Sequence, residues 1–139
     1  MDIPRKIPLG IVAIAVIMFF VALATDAFWL GRLALDAFPS TMPIGGEFYG
    51  AFAAPDIILS LFLYVGAWGL LRLRKFGLAA AYVAMGMWLF DSVLVLGITK
   101  LSRLTVLGPS LFFVLFTLIY LWKQRYLFAD PGSSGQSGD

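Results

Sequence analysis

Apolar positions run on for about twenty residues at a time in this chain, and the charges collect in the gaps. One run extends from Ile7 to about Leu30, with no charge between Lys6 and Asp26. A second, from about Ala51 to Leu71, carries only Asp56, and a third, from Phe76 to about Thr99, carries only Asp91. The fourth, Leu104 to Trp122, carries none. A helix needs about 20 apolar residues to cross a hydrocarbon core of about 30 Å. Backbone polar groups cannot go unpaired in lipid, and these lengths suit helices rather than barrel strands. The pattern therefore predicts an all-α, polytopic membrane protein: an antiparallel bundle of four transmembrane helices over about 7–30, 51–71, 76–99 and 104–122. Residues 1–129 form a single domain in this reading. The stretch 130–139, Pro-Gly-Ser-rich after Asp130, reads as a flexible tail.

Composition agrees. The chain is 61% hydrophobic and 13% charged, where a soluble domain averages about 45–50% and about 25%; its mean hydropathy is +0.94. The 139 residues include no cysteine and no histidine. This excludes disulfides, thiolate and iron–sulfur chemistry, Cys/His zinc sites and serine–histidine catalysis.

Net charge is only +2, and the basic residues flank the apolar runs, so they read as topology determinants and not as a nucleic-acid surface. Arg5, Lys6, Arg72, Arg74, Lys75, Lys123 and Arg125 fall on one side of the predicted bundle; Arg32, Lys100 and Arg103 fall on the other. The positive-inside rule then places both termini in the cytoplasm, with the protein in the cytoplasmic (inner) membrane. Arg5 and Lys6 before an apolar run, with Ala22-Leu23-Ala24 behind it, resemble a cleavable leader. The apolar character continues through Phe28, Trp29 and Leu30, which favours a retained helix.

The connections differ. Arg72-Leu73-Arg74-Lys75 predicts a tight hairpin, whereas Gly31–Gly50 is long and holds Pro39, Pro43, Gly45 and Gly46. Its opening, Arg32 to Phe38, can extend the first helix, with Arg32 and Asp36 at i,i+4. The remainder reads as a loop that could cover a site. Gly77, Ala80, Ala81 and Ala84 give the third helix a small-residue face, and Gly66 and Gly69 can do the same for the second. Pro109 is expected where early helical N–H groups lack partners anyway.

One constellation carries chemistry. Asp26, Asp56 and Asp91 lie on three different helices, and alternating helix direction puts all three roughly 6–12 Å below the outer interface. A carboxylate in hydrocarbon costs about 2.5–3.5 kcal/mol even on the insertion scale, so such groups face a bundle interior or a wet cavity. Asp56, Ser60 and Tyr64 recur at i, i+4, i+8 on the second helix. Trp88 and Ser92 flank Asp91, Thr25 accompanies Asp26, and Ser110 and Thr117 share a face of the fourth helix. The expectation is a polar pocket open toward the outer side, with Trp29, Phe48, Tyr49 and Trp88 as walls and the first loop as a lid. Close carboxylates in low dielectric require shared protons or a cation. The candidate occupants are protons, a hard metal cation, an amine held by carboxylate and aromatic face, or a non-covalent lipid, sterol, quinone or pigment. No cofactor is called for by any motif.

Each acid also has a purely structural reading. Asp26 and Asp56 are shallow enough to be wet, to cap a helix, or to pair with Arg32, Lys100 or Arg103; Asp56 after Pro55 suits a helix N-terminus. Trp29 and Trp122 fit an interfacial belt.

Three functions compete. The first is binding, and transport, of a small cationic or lipid-like ligand in the acidic pocket. The second is a non-catalytic subunit or assembly factor of a larger membrane complex, or a homo-oligomer. The third is a membrane enzyme on a sterol- or lipid-like substrate. Four helices with acids in the first two resemble the sterol-isomerase-type (EXPERA) family in topology and in the placement of Asp26 and Asp56. The histidine of those isomerase sites has no counterpart. Small multidrug transporters also have four short helices but carry a mid-membrane acid in helix one, where residues 7–25 have none. A retinal Schiff base needs a deep lysine, and Lys100 lies at a boundary.

Overall fold

The computed structural model of the chain describes residues 6–35, 50–100 and 104–128. Four helices fill nearly all of it: α1 (Leu9–Leu35), α2 (Ala53–Leu71), α3 (Lys75–Ile98) and α4 (Leu104–Gln124), the last running into a 3-10 turn over Arg125–Phe128. Each is long and apolar enough to cross a bilayer, with a mean hydropathy of 1.6 or more over its best window. The protein is therefore a membrane protein with four candidate spans among its described residues. At 1.5 Å per residue α2 is about 28 Å long and matches the hydrocarbon core, whereas α1 is about 40 Å and must tilt or project. The extra length of α1 is the stretch beyond Leu30, which stays helical through Leu35. Asp36, Phe38, Tyr49, the body of the first loop, Arg103 and the tail lie outside the described residues.

Neighbouring helices pack antiparallel. On α1 the buried residues Ile11, Ile14, Ala15, Met18, Ala22 and Trp29 recur at steps of three, four and seven, one stripe of the cylinder. That stripe meets α2, which packs on its other side against α3. In lipid there is little hydrophobic gain in bringing helices together, so close approach must supply the attraction through dispersion. Glycine permits it here. A Cβ on Gly77 would collide with the backbone of Gly69 and Leu70, and one on Gly66 would lie 3.1 Å from the Ala81 nitrogen and 2.8 Å from the Met18 terminal methyl. The small face expected of α3, Gly77, Ala80, Ala81 and Ala84, is buried throughout.

The hairpin between α2 and α3 closes with a Schellman arrangement. Arg74 N–H donates to the Gly69 carbonyl at 2.9 Å and Leu73 N–H to the Leu70 carbonyl at 3.0 Å. Leu73 takes the left-handed position this motif requires, with φ of 49°, at a cost of about 1–2 kcal/mol that glycine would avoid. Lys100 does the same after α3, with φ of 47°.

α4 joins chiefly through α3. The Trp88 ring packs 5.6 Å from that of Phe113, and the buried positions of α4 are Val114, Thr117 and Leu121. Pro109 corrects one expectation. It is the sixth residue of α4, past the turn whose N–H groups are unpaired, so the Thr105 carbonyl is left without its i+4 amide.

Candidate functional site

The acids sort by the neighbours that α1 and α2 give them. Trp29 was expected either as a pocket wall or as a belt residue at the interface; it is only 3% exposed, and its indole Nε1–H donates to Asp56 Oδ2 at 2.8 Å. The bond explains the burial, since an indole N–H taken out of water needs an acceptor. Trp122, by contrast, is 60% exposed, as a belt residue is. Asp56 does sit in the first turn of α2, and its carboxylate is turned across to α1 rather than used as a cap.

The stripe Asp56, Ser60, Tyr64 faces α1 as its spacing required, although each member does something different. Ser60 is buried and donates its hydroxyl to the Ile57 carbonyl of its own helix at 2.9 Å. Tyr64 packs its ring edge-on to Phe19, with centroids 5.5 Å apart, and its hydroxyl lies on the side of the Asp26 carboxylate, near enough for the two to interact. The α1–α2 seam thus carries two cross-helix polar pairs, Trp29–Asp56 and Tyr64–Asp26.

Between them a cleft of about 620 Å³ opens on the α1–α2 surface. Its lining is Leu23, Asp26, Ala27, Trp29 and Leu30 from α1 with Ile57, Ser60 and Leu61 from α2. The volume lies within the range of about 300–1,000 Å³ of small-molecule sites, and the composition matches their usual form, apolar walls with very few polar groups. Asp26 is the one charged side chain in it.

Asp91 is half-buried on α3 and lies near enough to Asp56 for the two charges to interact. It does not line the cleft, and neither do Trp88, which packs on α4, or the buried Ser92. Tyr49 lies outside the described residues. Among the described residues no three acidic side chains converge in a way that could hold a metal ion. The acids therefore take separate places, Asp26 on the cleft wall, Asp56 held by Trp29, and Asp91 on α3 outside the cleft, whose described lining comes from α1 and α2.

The two cross-helix pairs were the part that sequence reasoning missed. A signal for them existed, since an indole and a carboxylate near the same end of consecutive antiparallel helices are natural partners. The helix rotations that bring them face to face depend on packing along the whole α1–α2 seam, the close contact of Gly66 with Met18 included, which neither partner records. No family model, curated protein or solved structure matches the chain.

Proposed function

We propose that this protein binds an amphiphilic organic cation in the α1–α2 cleft, with Asp26 as counter-ion, Trp29 as aromatic wall, and Leu23, Leu30, Ile57 and Leu61 around its apolar body. The supporting observation is the cleft's composition: a single carboxylate, exposed to the cavity and backed by Tyr64, in otherwise apolar walls. An ammonium or phosphonium group gains a charge partner and an aromatic face there, and its hydrophobic part stays out of water. A hard metal ion asks for six or more oxygen ligands, which this wall does not supply. Asp56 and Asp91 add negative potential behind Trp29. In this reading the basic turn Arg72–Lys75 is cytoplasmic, both termini face the same way, and the cleft opens in the outer leaflet of the cytoplasmic membrane.

The test uses tetraphenylphosphonium and the neutral triphenylphosphine oxide, titrated into nanodisc-held protein by calorimetry. Asp26→Asn should weaken phosphonium binding about tenfold, roughly 1.4 kcal/mol, and leave the phosphine oxide unchanged. Equal phosphonium affinity in wild type and variant would remove the reading.

A further inference from the structure

The α1–α2 seam bears a second groove, about 450 Å³, at the opposite end from Asp26. Ala15 and Ala67 form its floor, Phe19, Phe20, Trp68 and Leu71 its walls, and Tyr64 closes it on the side of the first cleft. Its lining holds no charged residue. From Tyr64 to Leu71 it follows about 10 Å of helix, room for part of one acyl chain.

A cation stands at its mouth. The Arg72 guanidinium lies over the Trp68 ring, 4.6 Å from its centroid, and Trp68 is itself a groove wall. The ring holds the guanidinium beside the groove, and a guanidinium presents its N–H donors as a planar fork that matches two phosphate oxygens. Arg74 and Lys75 follow in the same turn and add to the positive potential. An apolar slot ending at a preoriented arginine has the two-part chemistry of a glycerophospholipid.

We propose that this groove, with Arg72, is a binding site for an anionic phospholipid of the leaflet on the Arg72 side, an acyl chain lying in the groove and the phosphate on the guanidinium. The inference makes no use of the Asp26 cleft. The chain offers its own control, because Arg125, in the turn after α4, lies over the Trp122 ring at 4.2 Å, and neither residue lines the groove. Both guanidinium groups lie over a tryptophan ring, Arg125 with one N–H also donated to the Trp122 carbonyl at 3.0 Å, and only Arg72 follows the residues that line the slot.

Native mass spectrometry of the detergent-released protein, with equal concentrations of dioleoyl phosphatidylglycerol and dioleoyl phosphatidylcholine, decides it. Wild type should retain phosphatidylglycerol about fivefold better, the weight of one arginine beside an anionic headgroup. Arg72→Gln should abolish that preference, and Val16→Trp, which fills the groove, should lower retention of both lipids. Arg125→Gln should leave both unchanged. Equal retention of the two lipids by wild type, or equal losses in Arg72→Gln and Arg125→Gln, would overturn the proposal. So would displacement of phosphatidylglycerol by millimolar inorganic phosphate, which would mean that the arginine reads free phosphate and the groove contributes nothing.

Discussion

An indole N–H inside a bilayer has to find an acceptor on its own chain or a neighbour's, since lipid tails offer none. Trp29 and Asp56 meet that need mutually, at 2.8 Å across two helices. Hydrogen bonds between membrane helices average about 0.6 kcal/mol and reach about 1.7. This one should lie toward the upper part, because losing Asp56 strands the buried Trp29 N–H. A double-mutant cycle of Trp29→Phe and Asp56→Leu, followed by SDS-induced unfolding, should return a coupling of about 1 kcal/mol. Additive effects of the two changes would mean that the bond contributes nothing to holding α1 on α2. The same residues mark a limit of sequence reading. Asp56 and Asp26 stand out as charges in apolar runs, and their depth follows from counting residues. Their partners depend on how far α1 and α2 are rotated about their own axes, which helices so uniformly apolar record only faintly.

The α2–α3 hairpin shows the opposite case, an element whose packing was written in residue size. Gly69 and Gly77 face one another so closely that either Cβ would enter the other's backbone. Backbone cannot swing aside as a long side chain can, so the hairpin must splay to accept even a methyl. Gly77→Ala should therefore destabilise the protein by about 1–3 kcal/mol, as overpacking does. Gly86, on the same helix, has nothing within 4 Å of where its Cβ would stand. There the change to alanine should be neutral or stabilising by up to about 1 kcal/mol, through helix propensity alone. SDS titrations of the two variants should shift in opposite directions, or with Gly86→Ala unmoved. A matching loss in both would assign the effect to glycine's backbone freedom instead of to close approach.

Across the whole molecule, the four spans and the basic turn between α2 and α3 were legible because membrane insertion is governed by length, hydropathy and flanking charge, all local properties. The three acids were legible only as positions along their helices. They divide into a cleft wall at Asp26, an Asp56 held by Trp29, and Asp91 on α3 outside the cleft, because α1 and α3 each pack chiefly on α2. That serial order also ranks the helices by attachment. α2 is packed on both sides and buries seven residues, Leu59, Ser60, Leu63, Gly66, Ala67, Gly69 and Leu70. α4 buries Val114, Thr117 and Leu121, begins with the broken hydrogen bond opposite Pro109, and holds the Thr117 hydroxyl in the interior without a hydrogen-bond partner. Helices with few buried contacts open at lower free energy than those at the centre, so α4 should detach before α1, α2 and α3 separate. The absence of cysteine makes this directly measurable, since one introduced thiol has no background. Ser60→Cys on α2 and Thr117→Cys on α4 replace side chains that are 1% and 0% exposed, and both stay shielded from a membrane-permeant maleimide while their helix is docked. As the SDS fraction rises, the thiol at position 117 should become reactive first, with position 60 following at the global transition. Simultaneous labelling of the two would show instead that α4 belongs to the same cooperative unit as the other three helices, and that its sparse packing is no measure of its hold on α3.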